Sequence, residues 1–330
     1  MNDVSARQKC ANALIQPLVY VAVLNWLSPR ETANCIRSLL RLDYQNRRVF
    51  VINNGAEDAL VQALGPLLDS VTVIQNRRNL GFCGGNNVVF RHALEDGADY
   101  TWLVNDDAVV KPDCLTKLVA EAQADGRLGL LSPVILHDTT TEAAWNAGGF
   151  FDTKSCSWGW FSDPQQAVIV QQERPNCFML AGTALLVRTS LVREIGMLDE
   201  RLFAYHEDTD YSIRAQVAGF NRRIVPDAAV YHKHHPDARP SRFACYYISR
   251  NETLLWRKHS GKLSRLRNRY WSFLSMRSAL GKYADERRLQ EACVLGWWHG
   301  QLGIGGEWAD PNRAPWWLKL ILWPRLVGPR

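Results

Sequence analysis

Short apolar runs that close on polar or glycine-bearing clusters, each followed by a helix-like stretch, fill the first 125 residues. Residues 18–24 (LVYVAVL) form the first run, read as a buried strand. Ser28 and Pro29 suit the N-cap and first turn of a helix reaching about Leu40. RRVFVINN (47–54) is a second strand ending on polar residues and Gly55, and a helix is expected around 57–68. A third strand (71–74, VTVI), a helix at 86–96 and a fourth strand (100–104, YTWLV) follow. The fourth strand ends at Asn105-Asp106-Asp107, and Pro112 and Asp113 open a helix to about Ala124. This order constrains the chain to an α/β fold with a mostly parallel sheet and helices on both faces. Ligands of such sheets bind beyond the carboxyl ends of the strands, where the clusters 53–55, 81–87 and 105–107 lie.

The second half changes character. Residues 137–178 are loop-rich, with Trp145, Trp158, Trp160 and Phe161 in a stretch aromatic enough either to stack on sugar faces or to form a small core. GTALLVR (182–188) reads as a strand, 205–218 as a helix, and RRIVP and AAVYH (222–226, 228–232) as two short strands. From about 241 the pattern is helical, with basic residues among aromatics. The chain of 330 residues, 47% hydrophobic and 22% charged, is not a disordered, collagen-like or small disulfide-stapled protein. No run of about 18 apolar residues offers a spanning helix, and the amino terminus lacks the apolar core of a secretory signal. The eight scattered cysteines contain no CxxC pair and read as reduced cytosolic thiols. Charge is uneven: residues 239–330 carry 17 Lys/Arg against 6 Asp/Glu, whereas the rest carries 22 against 27. With six of the thirteen tryptophans in the last 34 residues, this composition favours an anionic membrane surface over nucleic acid.

Four clusters could carry chemistry. Asn105-Asp106-Asp107, after a hydrophobic strand, suits a hard divalent cation facing a diphosphate, or a solvated turn. Tyr205-His206-Glu207-Asp208-Thr209-Asp210 sets three carboxylates within four residues; one is a candidate general base, and the alternative is an exposed acidic helix start. Asp210 and Arg214 can pair on one helix face. His232 ends an apolar run and can offer a ring nitrogen to a metal, or sit at the surface. Leu80 to Asn87 (LGFCGGNN) allows close backbone approach to a phosphate but lacks dinucleotide-fingerprint spacing, so a plain turn stands beside that reading.

In their order along the chain, VAVLNW, VINNGAED, NLGFCGGNN, LVNDDAVV, AGTALLVR, GMLDERLFAYHEDTDYSIR, VPDAAVYH and YYISRN resemble the family 2 glycosyltransferases, especially a bacterial rhamnosyltransferase-like branch. The resemblance runs from about Val19 to Asn251. It implies the type A glycosyltransferase fold, a mostly parallel Rossmann-like sheet flanked by helices, here with a helical C-terminal extension. Residues 1–17 are then a flexible start, 18–238 the catalytic domain and 239–330 a basic, Trp-rich helical region. The resemblance places Val23, Asn25, Asn53 and Asn54 near the base and ribose, although the family usually has Asp where Asn53 stands. It makes Asn79, Gly81, Gly84 and Asn86 contacts to the nucleotide sugar, with Asp106 and Arg250 beside them. It gives Asp107 and His232 a divalent metal, Mg²⁺ or Mn²⁺, and Asp208 the role of catalytic base.

The implied reaction is inverting, metal-dependent transfer of a sugar to a bacterial surface glycan or lipid-linked precursor. L-Rhamnose from dTDP-L-rhamnose is the first choice and a UDP-hexose such as UDP-galactofuranose the rival. A sugar nucleotidyltransferase and a non-catalytic binding module are the readings from other classes. The expected place is the cytoplasm, at the inner face of the plasma membrane. The tail WWLKLILWPRL (316–326) would lie in the interface, dock on the catalytic domain or join a dimer. No nucleic-acid partner is implied.

Overall fold

The computed structural model describes residues 16–137, 142–232, 239–261 and 264–307. The elements begin with β1 (Val19–Asn25), α1 (Pro29–Leu39), β2 (Arg47–Asn53), α2 (Glu57–Leu64) with a 3-10 turn (Gly65–Ser70), and β3 (Thr72–Gln75). Next come α3 (Gly81–Asp96), β4 (Tyr100–Asn105), β5 (Ala108–Val110), α4 (Cys114–Ala124) and β6 (Leu128–Leu136). They continue with β7 (Ala144–Asn146), β8 (Gly149–Asp152), β9 (Ser157–Trp160), α5 (Pro164–Glu173), β10 (Phe178–Met179), β11 (Ala184–Arg188) and α6 (Thr189–Ile195). The last are α7 (Glu207–Val217), β12 (Asn221–His232), α8 (Arg242–His259), α9 (Arg265–Lys282) and α10 (Arg287–Leu302).

The main sheet has nine strands in the order β3-β2-β1-β4-β11-β6-β12-β5, with β7 added to β6. β3, β2, β1 and β4 are mutually parallel, as the alternating strand–helix pattern requires. β11 enters antiparallel between β4 and β6, so its first residues meet the carboxyl end of β4: Ala184 pairs with Val104. Period-two alternation in β1 sends Tyr20 and Ala22 into one core and Val19, Val21 and Val23 into the other, one on each face of the sheet. Each fully buried aliphatic side chain there contributes ~1.5–3 kcal/mol. A third core joins Tyr246, Tyr247, Met276, Leu280 and Leu295 of the last three helices to Phe203 from the segment before α7.

Several expected boundaries are corrected. β6, wholly buried, lies in a stretch to which the sequence reading gave no strand. Helix α3 begins at Gly81 rather than near residue 86, so the supposed glycine loop is its first turn and a half. The two short strands at 222–232 are one strand, β12, whose register against β6 shifts between Val225 and Ala229. The stretch 137–178 holds β7, α5 and a small separate sheet, β10-β8-β9. His234, His235 and the 316–326 tail lie outside the described residues. Among the described residues no helix is long and apolar enough to cross a membrane.

Candidate active site

At the ends of β1 and β2 the polar residues bind one another. Asn25 Nδ2 donates to Asn53 Oδ1 (2.6 Å), and Asn25 Oδ1 accepts from Thr32 Oγ1 (2.9 Å). Asn53 is fully buried, accepts also from Gly55 N (3.0 Å), and donates to Gln75 Oε1 (2.7 Å) and Ala56 O (3.2 Å). Its hydrogen-bonding capacity is therefore used inside the protein. Asn25 and Asn53, expected beside the base, thus spend these side-chain groups on each other and on their neighbours. The side chain of Val23 belongs to the core, which leaves its backbone as the part that faces the end of β1. Asn54 Nδ2 donates to Asn79 Oδ1 (3.0 Å) and Gly81 O (3.1 Å), and Asn79 Oδ1 also accepts from Gly81 N (2.8 Å), which ties β2 to the start of α3.

The glycines of α3 serve contact within the protein. Gly81 has φ +69°, and a Cβ there would stand 2.5 Å from Phe203 O. A Cβ on Gly84 would come 2.9 Å from Leu80 Cβ, and Asn86, buried inside the helix, donates to Phe82 O (3.0 Å). Gly84 and Asn86, expected at the nucleotide sugar, both make close contacts within the start of α3.

The acidic end of β4 faces the end of β12. Antiparallel pairing of β12 with β5 sets His232 opposite Ala108, next to Asp107. His232 Nε2 lies 3.1 Å from Asp107 Oδ1 and 3.5 Å from Asn105 Nδ2. Trp145 stacks on the imidazole with ring centroids 5.3 Å apart and planes at 16°. Asp107 Oδ1 is buried without a hydrogen bond of acceptable geometry. Asp106 accepts from Thr32 Oγ1 (3.3 Å), and burial, then the neighbouring Asp107 charge, push its carboxyl up to about 7. Among the described residues no three His, Cys, Asp or Glu side chains are grouped to hold a metal. The donors that would suit a divalent ion here are a carboxylate oxygen of Asp107 and an imidazole nitrogen of His232.

Asp208 sits in the first turn of α7. Its Oδ2 accepts from Gly182 N (2.9 Å) and its Oδ1 from Thr209 N (2.6 Å). Burial raises its proton affinity, and these backbone donors work against that rise. The next carbonyl after Gly182, Thr183 O, accepts from Asn105 N (2.9 Å). One short peptide leading into β11 therefore links Asp208 to the Asn105–Asp107 turn. His206, pushed down to about 4 by burial, meets Trp158 edge-on at 5.2 Å. Burial, then the charge of Asp208, hold the neighbouring Glu207 carboxyl well above the usual range. Asp210, fully buried, pairs with Arg214 (2.8 Å), Lys258 (2.7 Å) and His259 (2.7 Å). Phe203, Tyr205 and His206 all hold positive φ (64°, 69° and 65°). For non-glycine residues this costs ~1 kcal/mol or more each and persists only where the surroundings enforce it.

Arg250 is corrected outright. It is fully buried; its guanidinium lies over Tyr247 (4.5 Å) and donates to Gly306 O (2.5 Å), Arg201 O (3.0 Å) and Leu202 O (2.8 Å). The sequence reading missed its neighbour Asn251, also fully buried, although the doublet stands in YYISRN, an arginine and an asparagine on the apolar face of a helix.

A mixed sheet of this topology, with an acidic turn closing its fourth strand, an imidazole brought beside that turn and a carboxylate at a helix start close by, defines a glycosyltransferase of the type A fold. The chain belongs to glycosyl transferase family 2, whose profile matches residues 19–196. That assignment sets aside the nucleotidyltransferase and binding-module readings. The chain is 28% identical over 234 residues, 64% of its length and 76% of the relative's, to the N-acetylglucosaminyl-diphospho-decaprenol L-rhamnosyltransferase of Mycobacterium tuberculosis. It is 28% identical over 222 residues (65% and 69%) to the galactofuranosyltransferase GlfT1 of the same organism. Among solved structures it resembles the mannosyltransferase of Pyrobaculum calidifontis bound to GDP-Man and Mn²⁺, with a TM-score of 0.55 at 14% identity over 81% of this chain and 76% of that one. The matched family region ends before Asp208, His232 and Asn251.

Proposed function

We propose that the protein transfers a sugar, L-rhamnose from dTDP-L-rhamnose, with inversion of configuration, to a bacterial cell-surface glycan or its lipid-linked precursor. The observation that carries the reading is the link through Gly182 and Thr183, which sets a carboxylate near the acidic turn. Asp208 takes the proton from an acceptor hydroxyl as that oxygen bonds to the anomeric carbon. The bond from that carbon to the diphosphate oxygen breaks on the opposite face, so the configuration inverts. Asp107 and His232 would hold Mg²⁺ or Mn²⁺, which neutralises charge gathering on the leaving diphosphate. Trp145 fixes the ring plane of His232, and the network through Asn54 and Asn79 positions the start of α3 beside the donor.

The Mycobacterium tuberculosis rhamnosyltransferase, by its name, acts on a sugar diphosphate of a polyprenol, which supports a lipid-linked acceptor here. The same reading brings the enzyme to the inner face of the plasma membrane through its basic carboxy-terminal region. Transfer of galactofuranose from UDP is the second reading, favoured by equal identity to the galactofuranosyltransferase. A panel of nucleotide sugars with Mn²⁺, read by released nucleoside diphosphate, separates the two. The expected result is fastest turnover of dTDP-L-rhamnose. No turnover of it, beside turnover of UDP-galactofuranose, would move the assignment to the second sugar.

A further inference from the structure

The segment before Asp208 takes much of its support from outside itself. It forms no regular secondary structure from Phe203 to Tyr205, and three of its residues sit in the left-handed region. Yet every carbonyl from Arg201 to Tyr205 accepts a hydrogen bond. Phe203 O accepts from Cys83 N (3.0 Å) at the start of α3. The others look to α8. Arg250 serves Arg201 O and Leu202 O, and Asn251 Nδ2 lies within reach of Leu202 O (2.8 Å), Ala204 O (2.8 Å) and Tyr205 O (2.7 Å). Asn251 Oδ1 accepts from Arg250 Nε (2.8 Å), which fixes which end of the amide faces the carbonyls. A reversed amide would set its oxygen against three carbonyl oxygens.

We propose that Asn251, oriented by Arg250, is a positioning residue for the transfer reaction: it pins the left-handed segment 202–206 and so sets the direction from which the Asp208 carboxylate meets the acceptor. The proposal rests on Asp208 being the base. Asn251 touches neither donor nor acceptor and acts through backbone. A base must lie within hydrogen-bond reach of the proton it takes, so a small swing of this segment costs rate rather than donor affinity.

The test uses the full chain and the nucleotide sugar of the panel that is turned over fastest. In Asn251→Ala, kcat falls on the order of 100-fold, while the donor KM and the affinity for the free nucleoside diphosphate stay unchanged. Hydrogen exchange by mass spectrometry shows protection lost over 202–208 and kept over 47–54 and 81–96. A folded variant with wild-type kcat overturns the proposal, as does one whose kcat and donor affinity fall together. Should Asn251→Ala fail to fold, Asn251→Ser is read by the same criteria. The underlying reading fails separately: full turnover in Asp208→Asn removes the base itself. A dead Asp208→Asn beside a fully active Asn251→Ala removes only the positioning role.

Discussion

At the ends of β1 and β2, Asn25, Asn53, Asn54, Gln75 and Asn79 hold one another, amide to amide, over short reaches of the sheet. At the end of β4 and the start of α7 the supports come from far along the chain: Gly182 for Asp208, His232 beside Asp107, Arg250 and Asn251 for the backbone before α7. The first region is neutral and nearly self-contained. The second is charged, strained and braced by the carboxy-terminal helices. The difference teaches that the platform proposed for the donor can be built locally, whereas the proposed base and metal arm must be brought together by tertiary structure.

The comparison can be broken at its charged side first. Asp208→Asn is expected to lower transfer by about 1,000-fold with nucleoside diphosphate binding unchanged by calorimetry; wild-type turnover would strip Asp208 of its role. Asp107→Ala and His232→Ala are each expected to weaken Mn²⁺-supported donor binding on the order of 100-fold. A manganese titration with the same affinity as wild type would leave the acidic turn without a metal function.

The neutral side answers to stability instead. Asn53→Asp would set a carboxylate against Gln75 Oε1 and Ala56 O, costing about 2 kcal/mol in urea unfolding and giving no gain in affinity for pyrimidine nucleotides. A tighter nucleotide complex in that variant would restore Asn53 to the base site.

The two regions should also part in acid. Burial works against the Asp210 charge, but His259, Arg214 and Lys258 hold its carboxyl below the ordinary range. A folded-state value below the unfolded one contributes stability above the unfolded pKa of about 4 and loses it as pH falls through the folded value. Thermal unfolding between pH 6 and pH 3 should therefore show an acid-sensitive loss that Asp210→Asn reduces. An identical acid limb in both proteins would refute the linkage.

How much of this was legible follows the same division. The strands and helices of the parallel half could be read from period and punctuation, and Asp107, Asp208 and His232 stood out as polar residues at element ends. β6 was missed because LGLLSPVIL, covered on both faces, has no alternation and carries Pro133, which argues against a central strand. Gly81, Gly84 and Gly85 masked the start of α3, since helix propensity runs against glycine and close contact with Phe203, Leu80 and Leu24 in turn explains them. Arg250 was misread for a related reason. An arginine in a helix looks like a hand for phosphate until the carbonyls it meets are known, and those lie 49 residues earlier for Arg201, 48 earlier for Leu202 and 56 later for Gly306.

β11 runs against its neighbour β4, so the peptide at its entrance serves two masters. One residue inserted between Gly182 and Ala184 would dislodge the anchor of Asp208 and the grip on Asn105 in a single stroke. The hairpin of β8 and β9 meets the same joint from the smaller sheet: β8 pairs with β10, which ends three residues before Gly182, and Trp158 of β9 lies edge-on to His206.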